Sequence, residues 1–324
     1  MDKLKITFVN TGYGEAVILE CPDSSFPGGR FIMLIDGGSG DSSEFEGNRT
    51  GRIRLSEYLR KNPLPHIDIM VCTHIHEDHV SGLRDVQPRP KVMWQNYEPE
   101  FYRQIEGMTE LHDTLSLSKF TQSIEDYCTL CRSVLENGGK ITEMKAGPGE
   151  IRLCEGLSVE IPAPSDEAME ERLKLWHNAE KAVGTDAYRE AMAKLDVSLN
   201  NSSLVLKFHY GETEILLPGD TNEKGFRRIE GNIRADLFKI GHHGQKDAAS
   251  PELIERIVPA HVVCCASSDR RYLSADPAVM DMIRQHGAKL WFSDCPEGQN
   301  VPPHNALEFL ADRKKNITGR YLSV

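Results

Sequence analysis

Histidines and acids crowd one short stretch of this chain, directly after an apolar run. In VCTHIHEDHVSGL (71–83), His74, His76, Asp78 and His79 are spaced as HxHxDH. Imidazole and carboxylate donors together suit Zn, Mn or Fe better than Ca or Mg. Four potential ligands are too many for one open catalytic ion, so the simplest interpretation is two metals. We expect His74 and His76 to hold one ion, and Asp78 and His79 to hold the other.

The elements around this stretch alternate between strand and helix signals. The run IDIMVC (67–72), which leads into the histidines, is continuously apolar, as in a strand that is covered on both faces. Apolar spacing predicts a helix over 51–62, which ends before a proline. Earlier and later runs predict further strands over 5–10, 15–20, 31–36, 203–208, 213–220, 235–244, 261–268 and 289–294.

Two helical segments, at about 98–140 and 165–195, interrupt the strand-rich sequence. Another helix is predicted over 276–287, between two late strands. Two strand-rich parts with accompanying helices indicate an α/β fold, an αββα four-layer sandwich in which two packed sheets have helices outside. We interpret 1–324 as a single domain of this kind, with the two helical segments as insertions.

The composition excludes some classes of function. The formal net charge of −11 argues against tight, non-specific binding of duplex DNA, which needs clustered basic residues. The N-terminal sequence shows no signal-peptide pattern, and no apolar run reaches the roughly 18 residues of a spanning helix. We therefore expect a cytoplasmic protein without a membrane partner.

The HxHxDH stretch resembles the signature of the metallo-β-lactamase superfamily. Within it, the chain is most similar to the hydrolase-domain branch of the DNA-internalisation competence proteins and their free-standing relatives, which include a phosphorylcholine esterase. The resemblance implies the metallo-β-lactamase fold, two divalent metals and hydrolase activity. The further matching pieces lie between about residues 5 and 300 and are NTGYGEAVIL, LIDGG, NNSSLVL, LLPGD, HHGQK and SDCPEG.

Two further metal ligands follow from the resemblance. A bridging aspartate is expected at a strand end, where LLPGD places Asp220. A late histidine on the second metal is expected in KIGHHG, which offers His242 and His243. We favour His243 as the ligand and expect His242 to face the substrate or to orient a ligand. The reverse assignment remains open.

The chain departs from the superfamily at the first metal, because the usual third histidine is not evident. Asn200 and Asn201 occupy that region. An amide oxygen is a poorer zinc ligand than imidazole, so the first site should bind metal weakly or prefer Mn, although Zn is our first expectation overall and Fe an alternative. His112 and His177, in the helical segments, are alternative ligands.

Such a centre predicts hydrolysis by a metal-bridging hydroxide, because zinc lowers the pKa of bound water to about 7. We expect a phosphoesterase or phosphodiesterase with a small-molecule or nucleotide-like substrate; nucleic acid is allowed but not favoured by the net charge. Lactone, lactam or thioester hydrolysis, and a metal-binding regulatory protein without catalysis, are the alternatives. The candidate catalytic residues are Asp78, His242, Lys246 as a counter-charge for phosphate, and Tyr272 as a hydrogen-bond donor.

Overall fold

A computed structural model describes residues 3–108, 115–269 and 271–323. In this part of the chain the strands are β1 (Leu4–Val9), β2 (Val17–Pro22), β3 (Arg30–Ile35), β4 (Ile69–Val71), β5 (Val92–Gln95), β6 (Lys140–Glu143), β7 (Ile151–Cys154), β8 (Leu157–Ala163), β9 (Val205–Tyr210), β10 (Thr213–Leu217), β11 (Leu237–Lys239), β12 (His261–Cys264), β13 (Lys289–Phe292), β14 (Ala306–Ala311) and β15 (Ile317–Leu322). The α-helices are α1 (Leu55–Lys61), α2 (Glu77–Val80), α3 (Phe101–Ile105), α4 (Leu115–Glu136), α5 (Asp166–Ala182), α6 (Tyr188–Leu199), α7 (Glu223–Phe226), α8 (Pro251–Ile257) and α9 (Pro277–Gln285).

The strands form two mixed sheets, with the orders β15-β14-β1-β2-β3-β4-β5-β6 and β13-β12-β11-β10-β9-β8-β7. Strands β3 to β6 are mutually parallel in the first sheet, and β10 to β13 in the second. The carboxyl ends of parallel neighbours lie at one edge of a sheet, where loops can form a site.

The sheets pack face to face with helices outside, which confirms the predicted αββα sandwich. Phe31, Met33 and Ile35 of β3 face the core between the sheets, whereas Leu34 faces helices α1, α4 and α6. Leu216 of β10 points to the opposite outer layer, where α8 and α9 pack. This alternation follows from the two-residue period of a strand. No helix of the described residues is long and apolar enough to cross a membrane.

The helical segments differ in detail from the sequence expectation. The charged stretch at 165–195 forms two helices, α5 and α6, and Gly184 lies between them with a φ of +77°. Such a backbone conformation costs glycine little but other residues more, so the chain turns there instead of continuing one helix. The segment at 98–140 contains α3 and α4, and residues 109–114 lie outside the described part.

The LIDGG loop after β3 packs directly on the backbone that follows the histidines. The N–H of Gly37 donates to the carbonyl of His79 at 2.7 Å, and the N–H of Gly82 donates to the carbonyl of Gly38 at 3.0 Å. A Cβ atom at Gly82 would lie 1.9 Å from the carbonyl oxygen of Gly37, which is far below van der Waals contact. The small residue after HxHxDH therefore permits this close approach.

We predict that Gly82→Ala destabilises the protein by about 2 kcal/mol or more, because the two loops must separate. The measurement is urea unfolding followed by circular dichroism. Gly107→Ala is the matched control, since an added Cβ there meets no atom within 4 Å, and it should change the stability by less than about 0.5 kcal/mol. Equal effects of the two substitutions would contradict the close approach.

Candidate metal centre

The candidate ligands lie on loops that follow strands of both sheets. The HxHxDH stretch follows β4 of the first sheet, whereas Asp220 follows β10 and His243 follows β11 of the second. Because the two sheets face each other, these loops meet at one end of the sandwich. The fold thus brings together residues that are far apart in the sequence.

Four of the predicted ligands converge: Asp78, His79, Asp220 and His243 each offer one donor atom, and these atoms lie within 4.8 Å of one another. The Nε2 atom of His243 is 2.9 Å from Oδ2 of Asp78 and 2.9 Å from Oδ2 of Asp220. The Nε2 atom of His79 is 3.4 Å from Oδ1 of Asp220. Two imidazoles and two carboxylates form a donor set that fits a divalent ion such as Zn, Mn or Fe.

Both imidazoles of this cluster are oriented through their second nitrogen. His79 Nδ1 donates to Oδ2 of Asp36 at 2.7 Å, and His243 Nδ1 donates to the carbonyl of Cys265 at 2.7 Å. Donation from Nδ1 leaves the Nε2 lone pair of each ring facing the cluster, as in metal sites whose histidines are braced by outer hydrogen bonds. Asp36, in the LIDGG loop, thus braces His79 from outside the cluster.

The other two histidines of the stretch form a second donor pair beside the cluster. Nε2 of His74 lies 3.0 Å from Nδ1 of His76, and the His74 ring lies 4.2 Å from the His79 ring. The far nitrogen of His76, Nε2, is 3.1 Å from Oδ1 of Asp196 on α6. The sequence analysis missed Asp196, because it is one of many acids in a charged helix and no spacing distinguishes it.

Two asparagines, Asn200 and Asn201, lie where the superfamily usually has a third histidine, and they differ in their hydrogen bonding. Oδ1 of Asn201 accepts the N–H of Asn222 at 3.2 Å. Oδ1 of Asn200 is buried and has no hydrogen-bond partner among the described residues, and Asn200 lines the same cavity as His76 and Asp220. His177 has a side chain that is 59% exposed and interacts with Glu180, and it does not line this cavity. His112 lies outside the described residues.

A cavity of about 250 Å³ opens above these ligands, and three of the four predicted catalytic residues line it. Tyr272 lines it, with its ring 5.0 Å from that of Tyr13, and so does His242, whose Nδ1 is 2.7 Å from Oδ1 of Asp247. The remaining lining residues are His76, Glu77, Asp78, Lys119, Phe120, Asp196, Asn200, Asp220 and Gln245.

The lysine in this cavity is not the one that the sequence suggested. Lys246 is exposed and is not among the lining residues. Lys119 of α4 lines the cavity instead, with Nζ 3.0 Å from Oδ2 of Asp41. The sequence analysis treated α4 as an insertion with a solvated face, and only tertiary packing turns Lys119 toward the site.

The carboxylates give the centre a strong preference for positive charge. Burial disfavours a charged imidazole at His243, but Asp220 and Asp78 outweigh it and raise its pKa to about 9. Without metal, the site thus retains protons where a cation would otherwise bind. Because ligating histidines must be neutral, metal binding must release protons.

A buried lysine holds the expected bridging carboxylate in place. Nζ of Lys239 lies 3.3 Å from Oδ1 of Asp220 and 2.8 Å from the carbonyl of Gly219, and it is ion-paired with Glu15. All three charged side chains are at most 3% exposed. Asp220 is therefore fixed from behind while its Oδ2 faces His243.

The sandwich fold and its converging histidines and carboxylates are those of the metal-dependent hydrolases with this fold, and the chain falls into that class. Residues 26–115 match the model of the Metallo-beta-lactamase superfamily, so the chain contains a metallo-β-lactamase domain.

Two relatives and one solved structure describe the similarity further. The chain is 32% identical over 299 residues to ComE operon protein 3 of Bacillus subtilis (strain 168), covering 90% of this chain and 32% of that protein. It is 28% identical over 99 residues to Competence protein ComA of Neisseria gonorrhoeae, covering 29% of this chain and 14% of that protein. The chain thus spans a third or less of the length of these relatives. The structure of Tm1679, a metal-dependent hydrolase of the beta-lactamase superfamily, matches with 14% identity and a TM-score of 0.43, over 91% of this chain and 97% of the other.

We predict that Asp36→Asn lowers the affinity for divalent metal by about 10–100-fold, because the amide braces His79 less well than the carboxylate. Asn tolerates the φ of +55° at this position, so the fold should persist. The measurement is competition with a chromophoric chelator. Asp85→Asn, at an exposed carboxylate, is the control; an unchanged affinity in Asp36→Asn would refute the bracing role.

Proposed function

We propose that the chain is a dinuclear metal-dependent hydrolase of phosphoester or phosphodiester bonds. The observation that carries this proposal is the position of Asp220, whose two oxygens face His243 and His79 while the His74–His76 pair lies beside them. In this arrangement Asp78, His79 and His243 would hold one ion and His74 and His76 the other, with Asp220 as a carboxylate ligand between the two sets. The ions would supply a hydroxide at neutral pH.

Three side chains that line the cavity would contact a phosphate ester held by the ions. Lys119 would neutralise a non-bridging phosphate oxygen as a point charge. The hydroxyl of Tyr272 would donate a hydrogen bond to a substrate oxygen. His242, oriented by Asp247, would deliver a proton to the leaving oxygen from its other ring nitrogen.

The resemblance to the competence-protein branch supports the phosphodiester class. A net charge of −11 favours a small or nucleotide-like substrate over duplex DNA. We retain Zn as the first expectation for the metal and Mn or Fe as alternatives.

We predict turnover of bis(p-nitrophenyl) phosphate by the metal-loaded protein, measured by nitrophenolate release. Removal of metal with a chelator should abolish it, and Asp78→Ala should reduce it to the chelated level, because one ion loses a ligand. Asp85→Ala, at an exposed position a few residues further on, should retain the activity. Full activity after verified removal of all metal would count against the proposal. Faster turnover of a lactone or β-lactam would show that the enzyme hydrolyses carbon–oxygen or carbon–nitrogen bonds instead of phosphoesters.

We further propose that Asn200 supplies an oxygen ligand to the first ion in place of the absent histidine. Its buried Oδ1 without a partner supports this role, since buried polar atoms are normally hydrogen-bonded. Asp196 would orient His76 through Nε2 and leave Nδ1 for the metal.

We predict that Asn200→His raises the affinity of the weaker zinc site by about tenfold or more, since imidazole binds zinc better than an amide; tenfold corresponds to about 1.4 kcal/mol. Titration calorimetry with zinc measures both sites. Asn201→His is the control and should produce no gain, because Asn201 is engaged by Asn222. The same affinity in wild type and Asn200→His would exclude Asn200 from the ligand set.

A further inference from the structure

Helix α5 carries a buried arginine that lacks an acidic partner. Arg172 is 2% exposed, and its guanidinium carbon lies 3.8 Å from the centre of the Tyr97 ring. Its Nη2 donates to the carbonyl of Asn96. Its Nε and Nη1 atoms have no hydrogen-bond partner among the described residues.

The other buried cations of the described chain are paired. Nζ of Lys207 lies 2.9 Å from Oε1 of Glu214, and Lys239 is ion-paired with Glu15 and Asp220. A guanidinium stays charged at any accessible pH. A buried charge without a counter-ion is unfavourable, so Arg172 requires an explanation that the packing of α5 does not give.

Arg172 lines a second cavity, of about 500 Å³, next to the metal centre. We call it the Arg172 groove; it lies between α5, α6 and the start of α7. His76, Asp196, Asn200 and His242 line both this groove and the cavity above the metal ligands, so the two are continuous.

The charges in the groove favour an anion. The four cations that line it, Arg172, Lys194, Lys224 and Arg228, outnumber its three acids. Arg228 pairs with Glu171, and Lys194 pairs with Glu190. Lys224 also lines the groove and forms no ion pair with the described residues. Arg172 and Lys224 are thus the positive charges that the local acids leave uncompensated.

We propose that the Arg172 groove is a subsite for a second phosphate group of the substrate, with Arg172 as its counter-ion. The inference rests on the proposed phosphodiesterase function and names the substrate class: a phosphodiester that carries a further phosphate beyond the scissile bond. Guanidinium groups bind phosphate through charge-assisted N–H donors, and Nε and Nη1 of Arg172 each keep donor capacity without a partner among the described residues.

The test compares two chromogenic diesters on the metal-loaded full chain: the p-nitrophenyl ester of thymidine 5′-phosphate, with and without a 3′-phosphate. We expect kcat/KM to be at least about tenfold higher for the 3′-phosphorylated diester, mainly through KM, since one charge-assisted hydrogen bond supplies that much. Arg172→Met should abolish the preference and Arg172→Lys should retain part of it. Lys174→Met, at an exposed position of the same helix, should leave it unchanged.

A binding measurement separates this inference from the proposed function. Thymidine 3′,5′-bisphosphate should raise the Tm of the metal-loaded wild type more than thymidine 5′-phosphate does, and Arg172→Met should remove the difference. Equal kcat/KM values and equal Tm shifts for the paired ligands in the wild type would overturn the subsite, whether or not Arg172→Met folds. If neither diester is hydrolysed, the proposed function fails, and the Tm comparison alone decides the subsite.

Discussion

The carboxylate of Asp36 is the constraint on which the metal centre depends. It accepts the N–H of Thr73 at 2.8 Å, the hydroxyl of Thr73 at 2.6 Å and Nδ1 of His79 at 2.7 Å. It thereby fixes both the start and the end of the histidine loop. Gly37 also packs on Gly82, so the loop after β3 holds the loop after β4 in place. The imidazole and carboxylate atoms of the HxHxDH stretch thereby face the second sheet.

Two charged layers surround the expected bridging carboxylate. In front, Asp220 and Asp78 face the imidazole of His243. Behind, Lys239 and Glu15 form a fully buried ion pair that contacts Asp220. A buried pair is a poor source of stability by itself, because desolvation offsets the attraction. Its clearest effect here is to fix one oxygen of Asp220, so that the orientation of that carboxylate does not depend on the metal alone.

The sequence predicted the parts of the centre that depend on local pattern. HxHxDH after an apolar run marked a strand end, and the alternation of elements indicated the sandwich. The pattern left the choice between His242 and His243 open. The structure supports His243, because its ring is buried and its Nδ1 donates to the carbonyl of Cys265. Cys265 directly follows β12, and helix α8 lies between His243 and that strand in the sequence.

The residues that the sequence did not reveal come from helices. Lys119, Asp196 and Arg172 lie on α4, α6 and α5, and their roles depend on which helix face the sandwich covers. Charged helical residues are usually solvated, so composition alone gave no reason to select these three. Strands β5 and β6, of four residues each, were also missed, because so few apolar residues do not distinguish a short strand from a loop.

Helix α6 contacts the centre at His76, whose Nε2 lies 3.1 Å from both Oδ1 and the backbone carbonyl oxygen of Asp196. The candidate ligands lie on loops that follow strands, so a chain with this sandwich could keep them while another helix took the place of α6. Such a replacement helix must also offer a hydrogen-bond acceptor to Nε2 of His76, because otherwise nothing on that side orients the imidazole ring. Helix α6 and the histidine loop are thus expected to change together during divergence. A graft of one without the other should yield a chimera that binds metal poorly.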